Sequence, residues 1–207
     1  MAKPQATPFL LLPLLLLATI ASALVPSPQQ QPFIGAIGPL EIKASVVGLR
    51  DSNKQWPNQP ISCTGQVGRI SYKKSNGQII STLLTFKFPT TQYKYCWLEF
   101  NAPAAATSNF RAGVFTTNPA LTCPATGSIS RENSLGFWRI PSGKPGKASW
   151  EEPSTEYLNR PMQSRCPTVQ KGVVQLQGIE VVPPIGEDFD LVWTQTGAEG
   201  VRLLYSN

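Results

Sequence analysis

From Leu40 onward, apolar side chains recur at every second position, and turn-forming residues interrupt them at short intervals. Leu40, Ile42, Ala44 and Val46 alternate with Glu41, Lys43 and Ser45. A period of two marks a strand with one face buried, and no long stretch of the chain carries the helical period. Gln78 to Phe88 repeats the pattern, with Ile80, Leu84, Phe86 and Phe88 on one face and Pro89 as a stop. Arg69 to Lys74 precedes it across Ser75-Asn76-Gly77. Asn-Gly there predicts a hairpin with a type I′ turn, whose positive φ angles match the twist of the paired strands. Tyr93 to Phe100 sets Cys96, Leu98 and Phe100 against Tyr95, Trp97 and Glu99. Further strands are predicted over 109–116, 135–140, 147–151, 172–182, 189–194 and 201–205, with one short helical turn near Ser154 to Arg160. About eight short strands so spaced predict an all-β fold, a single antiparallel β-sandwich-like domain.

The amino-terminal residues set the compartment. Lys3 gives one positive charge, Pro8 to Ala21 is almost wholly apolar, and Ala21-Ser22-Ala23 supplies the small residues of a cleavage site. These are the three parts of a secretory signal peptide over residues 1–23. A spanning helix needs about 20 apolar residues, and this run is shorter and carries Pro13. Residues 24–38 read as a Pro/Gln-rich linker, and 39–207 as the secreted domain, with no membrane association after cleavage. In an exported chain, Cys63, Cys96, Cys123 and Cys166 read as two disulfides, with three pairings open. Each bridge closes a loop of tens of residues and adds roughly 2–4 kcal/mol. Their wide separation does not resemble a zinc site, and no metal or other cofactor is expected.

Charge and composition narrow the chemistry. Charged residues make up 14% of the chain, against about 25% in typical soluble proteins, and the formal net charge is +6. Lys73-Lys74 and Lys144 with Lys147 are the nearest thing to a basic patch, and neither is interleaved with aromatics. No nucleic-acid partner is expected from them; the basic balance favours polyanionic surfaces in general. There is no histidine, which excludes Ser–His–Asp and Cys–His catalysis and histidine-ligated metal. No glycine-rich phosphate loop is present. Carboxylate chemistry survives: a glycan hydrolase needs two acids facing across a cleft, about 5–9 Å apart. Glu151, Glu152 and Glu156 form one cluster of acids, and Glu187, Asp188 and Asp190 another. Acids in turn-rich segments mostly keep a loop solvated, so an enzyme is the less favoured expectation.

Aromatic residues offer the alternative. Trp97 and Tyr95 alternate away from the core side of their strand, Trp56 lies in a Pro/Asn-rich loop, and Trp138 lies in a polar stretch. Exposed flat rings stack on sugars, which makes Trp56, Trp97, Trp138 and Tyr95 candidate ligand contacts. Trp193, in line with Phe189 and Leu191, reads as core.

The stretch Phe86-Lys87-Phe88-Pro89 through Tyr95-Cys96-Trp97-Leu98-Glu99-Phe100-Asn101-Ala102-Pro103 resembles the F-x-F-P … K-x-C-x-L-x-F-x-x-P pattern of the fungal Ubiquitin 3 binding protein C-terminal domain family. Cys166-Pro167 is similar to a later Cys-Pro strand entry of that family. The resemblance implies a compact all-β domain on secreted or surface proteins. It also implies a Cys96–Cys166 bridge, leaving Cys63 with Cys123, and it brings no catalytic residues. The resulting expectation is a secreted, non-catalytic protein of a fungal cell wall or extracellular surface that binds polysaccharide or a surface partner. The alternatives are a carboxylate-dependent glycan hydrolase and an effector-like protein that binds a host protein. No feature of the sequence sets the oligomeric state.

Overall fold

The computed structural model describes residues 40–52, 60–88, 95–103, 110–141, 143, 145–151, 164–165, 173–195 and 199–206. Among these residues there is no helix, and every strand pairing is antiparallel. The strands are β1 (Leu40–Asp51), β2 (Ile61–Cys63), β3 (Val67–Lys73), β4 (Gln78–Phe88), β5 (Tyr95–Ala102), β6 (Arg111–Asn118) and β7 (Ser130–Arg139). They continue as β8 (Gly146–Lys147), β9 (Ser149–Glu151), β10 (Ser164–Arg165), β11 (Gln175–Val182), β12 (Phe189–Thr194) and β13 (Gly200–Ser206). Thirteen strands replace the expected eight or so, in part because β2 and β10, of three and two residues, have no counterpart among the expected strands and the stretch expected over 147–151 is divided between β8 and β9. Segments that short carry no readable alternation. The predicted helical turn at 154–160, the signal peptide and the linker lie outside the described residues.

β1 belongs to two sheets. Its first half pairs β13 through Leu40 to Lys43, and its second half pairs β4 from Ala44 to Asp51. A register shift between Ala44 and Val46 separates the halves, and the Ser45 hydroxyl donates to the Thr85 carbonyl at 3.0 Å. The bulge inserts one residue into the alternation. Ile42 and Ala44 therefore pack on the main core with Val47, while Val46 turns to the opposite face. That corrects the uninterrupted single-faced strand expected from Leu40 to Val46. The first sheet runs β10–β5–β13–β1, and the second runs β1–β4–β11–β6–β7–β9.

The core is enclosed by these strands. Leu84, Phe86 and Phe88 of β4, Ile179 and Val181 of β11, and Ala112 and Val114 of β6 meet Phe100 of β5 and Leu203 of β13. The Phe100 ring lies 5.2 Å from Trp138 of β7 and 5.0 Å from Trp193 of β12. Each buried ring contributes roughly 1.5–3 kcal/mol or more through burial. Gln195 satisfies the polar groups at the end of β12: its side-chain oxygen accepts from Trp193 Nε1 at 2.9 Å and from the Val201 amide at 3.0 Å.

The expected hairpin is present, with a different turn. Lys73 pairs Gln78 across a four-residue loop, and Gly77 is the one residue of that loop with positive φ. Asn76 instead uses its side-chain oxygen to accept from the Gln78 amide at 3.0 Å. The Lys74 amide is taken up by the Asp188 carboxylate at 2.7 Å, which holds the loop open beyond two residues. β3 pairs β12 from Val67 to Tyr72 but β4 only from Ser71 to Lys73. The Thr82 hydroxyl fills the gap, accepting from the Arg69 amide at 2.7 Å and donating to the Arg69 carbonyl at 2.6 Å.

The β6–β7 connection, residues 119–129, lies across the outer face of the second sheet as a strap. Leu121 and Ile129 join Leu83 in a second, smaller core there, and the Thr85 hydroxyl donates to the Leu121 carbonyl at 2.8 Å. Two glycines make the room. A Cβ on Gly48 would stand 2.6 Å from Leu121 Cδ2, and one on Gly178 2.9 Å from the Ala120 Cα. A disulfide between Cys63 and Cys123 fastens the strap to β2 across 60 residues of sequence, a closure worth about 4 kcal/mol by loop entropy. Cys96 is also disulfide-bonded, and Cys166 lies outside the described residues. Gly178→Ala forces a methyl against the Thr117 hydroxyl of β6 and the Ala120 Cα of the strap, so a loss of about 1–3 kcal/mol is expected. Urea denaturation measures it, together with faster protease cleavage within 119–129. An unchanged midpoint would remove the close-approach account.

Candidate functional site

The strap buries an ionic cluster. Glu180 of β11 is fully buried and Arg50 of β1 is 3% exposed, while Arg131 of β7 is 38% exposed at its side chain. Arg50 Nη1 donates to Glu180 Oε2 at 3.2 Å, and Arg131 donates through Nε at 2.9 Å and Nη2 at 3.0 Å. The Ser81 hydroxyl donates to Glu180 Oε1 at 2.5 Å. Arg50 Nη2 donates to the Ile129 carbonyl of the strap at 2.7 Å. Burial pushes the Glu180 carboxyl up, but the Arg131 hydrogen bonds, the Arg50 and Arg131 charges and the Ser81 hydroxyl outweigh it and hold the group below the usual carboxylate range. Burial, aided by the Arg131 charge and opposed by Glu180, lowers the Arg50 guanidinium, which stays protonated because its ordinary value is so high. Every oxygen of this carboxylate is engaged, so the cluster holds strands together and has no free group for acid–base chemistry.

Beyond the strap, the outer face of β6 and β7 carries exposed arginines and half-buried rings. Glu180 lies opposite Phe115 in the β11–β6 ladder, so the ionic cluster and this face are continuous. The Phe115 ring lies over Gly113, where a Cβ would stand 2.9 Å from Cε2. Phe137 pairs directly with Gly113, and Arg111 directly with Arg139. The Arg131 guanidinium sits 4.9 Å above the Phe115 ring centroid, and that of Arg111 5.0 Å above Phe137. Both phenylalanines are half-buried, and Arg111, Arg131 and Arg139 are exposed. Each such stacking is worth about 0.5–1 kcal/mol at an exposed site. From Arg111 to Thr117, opposite Arg131, the row extends about 20 Å at roughly 3.4 Å per strand residue. The result is a row of arginines, two of them seated over rings, on a sheet that is braced from its covered half.

Of the four aromatics nominated by the sequence, the structure describes the side chains of Trp97 and Trp138, and these two do not share a surface. Trp138 is 1% exposed and packs on Phe100 and, 5.7 Å away, on Trp150. This corrects its reading as a ligand contact: Trp138 alternates with Phe137 and Arg139, and the pairing with β6 turns those two outward and Trp138 inward. Trp97 is half-buried on the face of β5 away from Phe100, opposite Leu204 in β13. Tyr95 opens β5 and pairs through its backbone with Ser206 and Arg165. Trp56 lies outside the described residues, and Trp193 is buried.

Of the acids, Glu152 and Glu156 lie outside the described residues, and Glu151 is placed only by its backbone pairing with Phe137. Asp190 takes a two-point contact from Arg69, at 2.8 and 2.9 Å; that contact raises the Arg69 guanidinium against a smaller burial effect. Asp188 holds the hairpin loop, and Glu187 is exposed. Glu41 and Glu99 share Arg202, and Glu99 also meets Lys147. Among the described residues there is no group of three or more potential metal ligands, and no helix long and apolar enough to cross a membrane. No protein-family model matches the chain, and no curated protein matches it.

Sequence reasoning missed the arginine–phenylalanine row and Glu180. The spacings Arg111-x-x-x-Phe115 and Phe137-x-Arg139 put like-facing residues on each strand, but only the β6–β7 pairing joins them.

Glu180→Gln leaves Arg50 buried beside a neutral group, and a loss of about 3–5 kcal/mol is expected at pH 7. Because the folded carboxyl is held low, its contribution is complete above the unfolded value of about 4.3 and is lost as pH falls through the folded one. The difference between wild type and variant in urea midpoint should therefore be constant near neutrality and shrink as pH falls below about 4.3. A difference that stays constant below that value would mean that the charge of Glu180 is not what stabilises the cluster.

Proposed function

We propose that the protein is a secreted, non-catalytic, β-sandwich-like module that binds polysaccharide at a cell wall or extracellular surface through the outer face of β6 and β7. The observation that carries this reading is the row of half-buried rings and exposed arginines, about 20 Å long at strand spacing, on a rigid sheet. A sheet face backed by a packed core presents fixed contacts, so little ordering entropy is lost on binding. The flat, elongated shape suits an extended polymer better than a small molecule, which prefers a concavity. Secretion is supported by the signal-peptide pattern over residues 1–23 and by an exposed disulfide, a bond that persists in oxidising compartments. Among the described acids, Glu41, Glu99, Glu180, Asp188 and Asp190 are spent on structural contacts, which favours a binding role over an acid pair facing across a cleft.

Pull-down of the mature, oxidised protein on insoluble glucan, chitin and pectate gel tests the proposal. Retention on one polymer is expected, with Phe137→Ala and Arg111→Ala each weakening it by about tenfold or more, equivalent to about 1.4 kcal/mol. Trp97→Ala should bind as wild type. Loss with Trp97→Ala alone would move the contact to the other sheet, and a protein that stays in every supernatant would end the polysaccharide reading.

A further inference from the structure

We propose that Asn76 is a self-modifying site, at which the Gly77 backbone nitrogen attacks the Asn76 carboxamide and water then converts the residue to aspartate or isoaspartate. Asn-Gly occurs once in the chain, and it stands at the tip of the β3–β4 hairpin with both residues exposed. The nucleophile is unhindered. Gly77 has no side chain, and even a Cβ placed on it would meet nothing within 4 Å. Its φ of 68° is a conformation that glycine adopts without strain. The electrophile is held in place. Asn76 turns its side chain along the following backbone, and its Oδ1 accepts from the Gln78 amide at 3.0 Å, the Asx-turn arrangement. That contact folds Cγ over the intervening Gly77 peptide and points a donor at the oxygen on which negative charge develops during attack.

In the first step the Gly77 amide gives its proton to base, and its nitrogen bonds to Asn76 Cγ. The bond from Cγ to the carboxamide nitrogen breaks, and ammonia leaves with a proton from solvent. A five-membered succinimide remains. In the second step one water adds across a ring C–N bond. Opening at Cγ restores the ordinary backbone and leaves aspartate; opening at the backbone carbonyl carries the chain through Cβ and Cγ and leaves isoaspartate. The net change is hydrolysis of one carboxamide. Asn133 is the internal contrast: it is exposed too, but Ser134 follows it within β7 and pairs Phe115. Extended backbone turns each side chain away from the amide that follows, and Ser134 adds the Cβ that Gly77 lacks. Conversion at Asn76 puts a new carboxylate on a loop that carries Lys74 and already engages Asp188. Aspartate keeps an acceptor for the Gln78 amide. Isoaspartate lengthens the main chain by a methylene and loosens the Lys73–Gln78 pair that closes the loop.

The oxidised mature protein is incubated in mildly alkaline buffer, folded and in urea, and followed by charge-variant focusing and peptide mapping. Enzymatic isoaspartyl methylation tells the two products apart. One acidic charge variant is expected to accumulate in the folded protein, mapping to residue 76, with release of one ammonia. Its rate should exceed conversion at Asn133 by about tenfold or more, equivalent to about 1.4 kcal/mol in the barrier. N76Q, whose longer side chain would need a larger ring, should stay unmodified, and N76D should focus with the product from the start. A folded protein that keeps Asn76 while the urea-unfolded chain loses it would overturn the proposal, because the turn would then protect the residue. Equal rates at Asn76 and Asn133 would overturn it too, as would an acidic variant that persists in N76Q.

Discussion

A single carboxylate organises this fold. Glu180 accepts from β1, β4 and β7 while sitting on β11, so four strands converge on two oxygen atoms. A lone carboxylate at that depth would be protonated; paired with two guanidiniums and a hydroxyl it stays charged. Arg50 then needs an acceptor of its own, and the Ile129 carbonyl supplies one. The strap thus takes the place of water around a buried cation. Its seating, the glycines beneath it and the disulfide at its edge all follow from that requirement.

The same arrangement divides one sheet face into two kinds of surface. Over β1, β4 and β11 the outer face is a second interior, with Leu83 buried as deeply as the main core. Over β6 and β7, among the described residues, the apolar rings are half covered by arginines. Arg131 stands on the boundary and serves both sides: two donors go inward to Glu180, and its guanidinium sits over Phe115. The arginine-bearing face is therefore coupled to the buried cluster through one side chain.

Strands with a clean two-residue period are legible from the amino-acid order alone. The pattern places both ends of β4, Gln78 and Phe88, and both ends of β12, because turn-forming or polar residues stop each run sharply. It cuts β7 short because Ser130 to Ser134 is polar at every position; that stretch is a strand through its pairing with β6, not through burial. The bulge at Ser45 leaves no mark in the alternation of Leu40 to Val46, since both faces of β1 receive apolar neighbours. The ionic cluster is hidden for a different reason. Arg50 and Glu180 lie 130 positions apart, and Glu180 stands alone in an apolar strand, away from the two clusters of acids. Trp138 misleads because a polar neighbourhood in sequence says nothing about which way one alternate residue points.

The division of β1 between two sheets has a mechanical consequence. Tension entering at Leu40 meets first the ladder with β13 and then, past the bulge, the ladder with β4. Where the pull runs along the axis of β1, these bonds lie across it, so they are loaded in shear and yield together, not one after another. Arg50, near the far end of the strand, adds a charged anchor beyond both ladders. A domain tethered through that strand would resist being unzipped from its own leading edge.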